Sequence, residues 1–222
     1  MRVAIDGPAG AGKSTIAKAV SKRLGYVYID TGAMYRAVAL YAINNGIDIC
    51  EDSITDEVLS KIEIDIKYDD MGQKIILCGE DVTKSIRSPK VSIGASNVAV
   101  IPKVRLKLVE LQRELSKKGS VIMDGRDIGT YVLPDAEIKI FLTASVDQRA
   151  KRRYKELLEK GEKADFEEVK RDIEYRDKND SEREFAPLKK ADDAILLDTS
   201  DMTQDEVIDK MIKIIEEKRI NV

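Results

Sequence analysis

Histidine is absent from the sequence, and so is tryptophan. The first absence removes the imidazole base, Ser-His-Asp and Cys-His nucleophilic catalysis, and zinc sites that use imidazole. Cysteine is scarce. Cys50 and Cys78 form no CxxC pair, which argues against a disulfide scaffold and thioredoxin-type chemistry and predicts two reduced thiols in the cytosol. No apolar run approaches the ~18 residues of a membrane-crossing helix. A strand and a glycine loop begin at Arg2, so no secretory leader is expected. Neither sign of charge is in excess: 38 Lys and Arg face 41 Asp and Glu, a net of −3. That balance argues against a bulk nucleic-acid binder. The expectation is a cytoplasmic protein without membrane or nucleic-acid partners, whose chemistry uses Lys, Arg, Asp, Ser, Thr and backbone groups.

The 222 residues are 43% hydrophobic, enough for a buried core, and 36% charged. Short apolar runs at 2–6, 26–30, 121–124, 138–142 and 194–198 alternate with amphipathic stretches. The latter predict helices through about residue 24 and at 33–43, 102–118, 146–160, 164–178 and 203–219. Pro102 at a helix start, and Thr203 with Glu206 as a capping box, support two of those boundaries. Five continuous apolar strands separated by helices predict an α/β fold with a five-stranded parallel sheet covered on both faces. Two stretches break the rhythm. Residues 62–68 alternate, 69–72 read as a turn and 74–78 as a second strand, which predicts a small antiparallel β insert. Residues 146–186 are crowded with charge and read as a helical excursion into solvent.

Gly7-Pro8-Ala9-Gly10-Ala11-Gly12-Lys13-Ser14 satisfies G-x-x-x-x-G-K-[ST] between a predicted strand and a predicted helix. Such a loop curls its N–H groups around phosphate oxygens, beside the positive end of the following helix. Lys13 reaches the terminal phosphates and the Ser14 hydroxyl ligates Mg²⁺. The motif assigns residues 7–13, with Ser14 and Thr15, to ATP. Asp124, ending an apolar strand, is placed to meet the same magnesium, directly or through water. A guanine-reading N-K-x-D is missing; Asp177-Lys178-Asn179-Asp180 has the wrong order. A small-molecule kinase needs a second, arginine-built anion site. Arg36 and Arg126 lie just past predicted strands, where parallel sheets bind ligands. Arg149 and Arg153 are four apart on one helix face.

Residues 6–15, Asp30-Thr31-Gly32-Ala33-Met34-Tyr35-Arg36, Asp124-Gly125-Arg126-Asp127-Ile128-Gly129-Thr130 and Ala186-Pro187-Leu188 together resemble the bacterial cytidylate (CMP) kinase family, over essentially the whole chain. That family belongs to the nucleoside monophosphate kinases, with a P-loop NTPase fold. The resemblance implies a single kinase domain with a monophosphate-binding insert at about 60–100 and a mobile helical lid at about 146–186. It implies Mg²⁺-dependent transfer of the γ-phosphoryl group of ATP to CMP or dCMP; no long apolar stripe demands a partner, so a monomer is expected. Arg36, Arg126 and Arg183 would hold the acceptor phosphate, with Thr31 and Tyr35 lining that pocket. Ser96, Arg105 and Asp127 would read cytosine; Arg176 and Asp180 would contact the ribose. Arg149 and Arg153 would act from the lid, so that Lys13, Arg126, Arg149 and Arg153 form the catalytic set. Two other readings remain open: a P-loop kinase with another acceptor, and a nucleotide-dependent regulatory module that binds RNA through its basic lid segment.

Overall fold

The computed structural model describes residues 1–69, 72–159 and 161–220. β1 (Arg2–Asp6) lies at the centre of a five-stranded sheet, flanked by β6 (Val121–Gly125) and β7 (Ile138–Thr143). β2 (Val27–Asp30) and β8 (Ile195–Asp198) form the edges, and every pairing is parallel. Side chains alternate across the sheet. Val3 and Ile5 enter one core with Ile122, Ile140, α1 (Lys13–Leu24) and α8 (Gln204–Ile220). Ala4, Val121 and Met123 enter the other, under α2 (Thr31–Asn44) and α5 (Pro102–Ser116). Each aliphatic side chain fully buried in these layers contributes about 1.5–3 kcal/mol.

The sheet is not covered everywhere. Ile195 and Leu196 on the β8 edge are 44% and 58% exposed, so this strand is apolar without being enclosed. α2 begins directly after β2, two residues earlier than the pattern predicts, because the Asp30 carboxylate accepts the Ala33 amide at 2.9 Å and caps the helix.

The predicted antiparallel hairpin is present as β3 (Ile64–Asp69) and β4 (Gly72–Leu77), with a third short strand, β5 (Glu80–Asp81). The expected turn at 69–72 includes residues 70 and 71, which lie outside the described residues. Two short helices that the pattern does not reveal flank this sheet, α3 (Asp56–Ser60) and α4 (Pro89–Val98). A hairpin alone is marginal in water. Here Ile66, Ile75 and Leu77 share one apolar cluster with Met34 and Val38 of α2.

α6 (Val146–Glu159) and α7 (Phe166–Glu182) pack on each other around Ala150, Leu157, Val169 and Ile173. α7 runs four residues past its predicted end, as no glycine or proline intervenes before Pro187. The predicted end of α6 at residue 160 falls outside the described residues. These helices are not a purely solvated excursion, because they also dock on the loop after β1, described below. Among the described residues no helix is long and apolar enough to cross a membrane.

Candidate active site

The carboxyl ends of β1, β2 and β6 open into one cleft of about 790 Å³. Between β1 and α1 the P-loop turns through Gly7 at φ 150°, where an added Cβ would lie 1.9 Å from the Leu142 carbonyl oxygen, so only glycine fits. Gly10 and Gly12 also take positive φ. Lys13 is buried, and its Nζ donates to the Gly7 and Pro8 carbonyls at 2.7 Å each. Burial, and after it the charge of Arg126, hold the Lys13 ammonium well below its ordinary pKa.

Ser14 Oγ donates to Asp124 Oδ2 at 2.7 Å, and the Tyr28 hydroxyl donates to Asp124 Oδ1 at 2.9 Å. Thr31 Oγ1 donates to the Asp124 carbonyl at 2.7 Å. Burial, then the charge of Asp30, push the Asp124 carboxyl up to about 6. No group of three or more His, Cys, Asp or Glu side chains able to hold a metal occurs among the described residues. One hydroxyl and one carboxylate side by side are hard oxygen donors. They suit Mg²⁺, which keeps waters and phosphate oxygens as its remaining ligands.

Arginines line the opposite wall. Asp30 pairs with Arg36 at 3.6 Å and with Arg87 at 3.1 Å. Arg126 Nε donates to Asp180 Oδ2 at 2.6 Å. Arg105, fully buried, pairs with Asp127 and donates Nη1 to the Ala99 carbonyl at 3.1 Å. Arg183 Nη2 lies 3.3 Å from the other Asp127 oxygen, and its Nε donates to the Ala186 carbonyl at 2.7 Å. Arg176 falls to about 10, through burial and then the charges of Arg126 and Arg36. Burial pushes the Tyr35 hydroxyl up to about 12. Ser96 Oγ accepts from Asn179 at 3.3 Å. Arg36 Nη1 and Arg183 Nη2 are buried and complete no hydrogen bond. A wall that concentrates cations until one of them loses proton affinity, with guanidinium groups unsatisfied, is built to receive an anion.

The structure therefore gathers residues 10–15, Thr31, Tyr35, Arg36, Ser96, Arg105, Asp124, Arg126, Asp127, Arg153, Arg176, Asp180 and Arg183 around one cavity. Gly7, Pro8, Ala9 and Arg149 do not line it. Arg149 runs beneath the P-loop instead: Nη1 donates to the Ala9 carbonyl at 2.8 Å and Nε to the Ala144 carbonyl at 2.9 Å. It also pairs with Asp177 at 2.5 Å, and Asp177 Oδ1 accepts the Ala9 amide at 2.9 Å. Arg153 pairs with Glu156 at 2.9 Å and faces the cleft. Sequence reasoning missed Arg87, Tyr28, Asp177 and Arg152, whose Nη2 donates to the Thr199 carbonyl at 2.6 Å. Only Arg152 left a signal, as part of the basic run at 149–155.

Asp6 props the far side of the site. Its carboxylate accepts the Ile128 amide at 2.8 Å and the Gly129 amide at 2.7 Å, fixing the turn after Arg126 and Asp127. Burial pushes this carboxyl up to about 6; the two amides pull against it, and the charge of Asp127 adds to the rise. Its folded pKa thus exceeds the unfolded value near ~4, so folding favours the protonated form. The resulting stability is fully present below about pH 4 and is lost as pH rises through about 6. Asp6→Asn lacks this dependence. Relative to the unchanged chain, its unfolding free energy is expected to improve by about 2 kcal/mol between pH 4 and 7, from denaturant titrations. A difference that stays flat across that window rules the account out.

Known proteins resemble the chain along its whole length. The family model described as cytidylate kinase matches residues 3–217. A cytidylate kinase of Lactobacillus johnsonii is 53% identical over 221 residues, covering 100% of this chain and 96% of the relative. One from Caldicellulosiruptor saccharolyticus is 53% identical over 214 residues, 96% of this chain and 95% of the relative. Among solved structures, an uncharacterised protein from Eubacterium ventriosum shares the fold, with a TM-score of 0.54, 14% identity and coverage of 97% and 98% of the two chains. A gluconokinase from Sinorhizobium meliloti does so at a TM-score of 0.50, 12% identity and coverage of 96% and 89%. With the family model spanning nearly every residue and half the positions identical in full-length relatives, the chain belongs to the cytidylate kinase family.

Proposed function

We propose that the cleft transfers the γ-phosphoryl group of ATP to the phosphate of CMP or dCMP, giving ADP and the corresponding diphosphate. The observation that carries this reading is the pairing of a P-loop with a wall of buried, incompletely hydrogen-bonded arginines inside one cavity. Two polyanions that repel each other in water meet there between fixed cations. The P-loop amides and Lys13 take the ATP phosphates. Arg36, Arg126 and Arg183 take the acceptor phosphate, with Thr31 and Tyr35 beside it. The acceptor is already an anion at neutral pH, so no strong base is required and the lack of histidine costs nothing. Catalysis is alignment and charge neutralisation. Mg²⁺, held through Ser14 and Asp124, neutralises phosphate charge when bound.

Cytosine recognition follows from Arg105 and Asp127. A carboxylate oxygen accepts from the exocyclic amine while a guanidinium donates to the ring acceptors. Ser96 lines the same cavity, and Arg176 and Asp180 are placed for the ribose. In uracil an oxygen replaces the amine and faces Asp127. We assign α6 and α7 to a lid, with Arg153 as its cleft-facing cation and Arg149 as the strut that couples it to the P-loop. The insert at about 60–100 forms the monophosphate side. A cytoplasmic monomer completes this reading.

The test is coupled ADP formation with CMP, dCMP, UMP, AMP and shikimate. CMP is expected to be turned over fastest, with kcat/KM above that for UMP by about two orders of magnitude or more, the size of a buried polar mismatch. AMP or shikimate outpacing CMP would overturn the assignment. ATP binding without transfer to any monophosphate, together with salt-sensitive RNA affinity, would favour the regulatory reading instead.

A further inference from the structure

The insert that brings Arg87 to the cleft also reaches β2, through Gln73 of its antiparallel sheet. Gln73 is the second residue of β4, and its side chain extends to the last peptide of β2. Its Oε1 accepts the Asp30 amide at 2.8 Å, and its Nε2 lies 3.4 Å from the Asp30 carbonyl, to which it donates. β2 is an edge strand of the parallel sheet. One side-chain amide therefore offers Asp30 the acceptor and donor that a neighbouring strand would supply.

Asp30 is the residue on which this end of the site is assembled. Its buried carboxylate caps α2 through the Ala33 amide, and α2 carries Tyr35 and Arg36. The same carboxylate pairs with Arg36 from α2 and with Arg87 from the insert. The charges of those two arginines hold its carboxyl below the usual carboxylate range despite burial. The Asp30 backbone is thus held by the insert while its side chain orients two cations of the cleft wall. A small rotation of this peptide would displace the cap, Arg36 and Arg87 together.

We propose that Gln73 is a positioning residue for the acceptor-phosphate pocket, acting through Asp30 and not by touching substrate. The proposal rests on the reading of that pocket as the CMP site. Gln73 joins the two bodies of the cleft wall, so that the insert and the Arg36 end of α2 present a single anion-binding surface. The ATP side is built on the P-loop; Asp124, the β6 partner of Asp30, is its link to this peptide.

The experiment compares the unchanged chain with Gln73→Ala and Gln73→Met, measuring kcat, KM for CMP, KM for ATP and the thermal midpoint. Methionine keeps the length and packing of the side chain and loses both hydrogen bonds. Both variants are expected to raise KM for CMP about tenfold, the scale of the two part-buried hydrogen bonds they lose. KM for ATP and kcat stay within about twofold, the signature of lost acceptor binding. An unchanged CMP KM, with or without a lower thermal midpoint, would overturn the proposal, as would equal rises in both KM values. A normal CMP KM in Gln73→Met with a raised one in Gln73→Ala would also overturn it, since bulk and not the amide would then matter. Failure of the unchanged chain to phosphorylate CMP is a separate result and defeats the acceptor reading itself.

Discussion

Lys13→Ala is expected to slow phosphoryl transfer by about a hundredfold to a thousandfold, the usual consequence of deleting one preorganised charge aimed at a transition state. Lys13 is only 5% exposed and lies where both burial and Arg126 disfavour its positive charge. Two backbone carbonyls at 2.7 Å keep the ammonium in place. Terminal phosphates brought to the loop would give this under-compensated cation the partner its surroundings withhold. Alanine removes the charge while leaving the glycine turn intact, since the turn is set by backbone conformation and by the Arg149 and Asp177 contacts beneath Ala9. Circular dichroism is therefore expected to be unchanged, and single-turnover transfer to CMP carries the loss. Lys13→Arg is not expected to rescue it, because a longer planar guanidinium cannot occupy the same point between two carbonyls. Transfer within tenfold of the unchanged chain would remove Lys13 from the mechanism.

The parts of the molecule governed by local rules were legible in the sequence. The five apolar runs became the five parallel strands, and the reciprocal capping box was realised. Thr203 N donates to Glu206 Oε2 at 2.8 Å, and Glu206 N to Thr203 Oγ1 at 3.4 Å. What escaped was set by tertiary contact. α4 contains Gly94, Ser96 and Asn97, poor helix formers that hide it from a propensity reading. Gly94 is explained by α2 and the segment after it, since a Cβ there would lie 3.2 Å from the Ala39 side chain and 3.1 Å from Ile49. Arg149 and Arg153 share a helix face by spacing, yet one is drawn under the P-loop and the other is left in the cleft. The partner that separates them, Asp177, comes from α7, and no local pattern connects the two. Arg87 and Gln73 escaped for the same reason: each owes its place to Asp30, more than forty residues earlier in the chain.

Asp127→Ala is expected to have the largest effect on stability, about 3–5 kcal/mol, from removing the shared partner of two buried guanidinium groups. Arg105 has no exposed surface and depends on Asp127 and the Ala99 carbonyl, with Tyr35 and Phe185 rings 5.5 and 5.9 Å from its guanidinium carbon. Arg183 approaches the other carboxylate oxygen at 3.3 Å. Without Asp127, Arg105 stays dehydrated and uncompensated and Arg183 keeps only Asp180, at 3.8 Å, against a total stability of only about 5–15 kcal/mol for a typical domain. Arg105→Met is expected to be the milder change, because Asp127 keeps Arg183 and the methionine fills much of the vacated space. The pair is then diagnostic. In a double-mutant cycle, Asp127→Ala with Arg105→Met is expected to recover at least about 1 kcal/mol relative to the sum of the single changes, since the stranded cation is gone. Its preference for CMP over UMP is not expected to return, because the carboxylate that accepts from the cytosine amine is still missing. Urea midpoints and the CMP-to-UMP ratio of kcat/KM thus separate two roles of one ion pair. Additive midpoints would show that Arg105 and Asp127 do not depend on each other. A double variant that still prefers CMP would place base recognition elsewhere in the cleft.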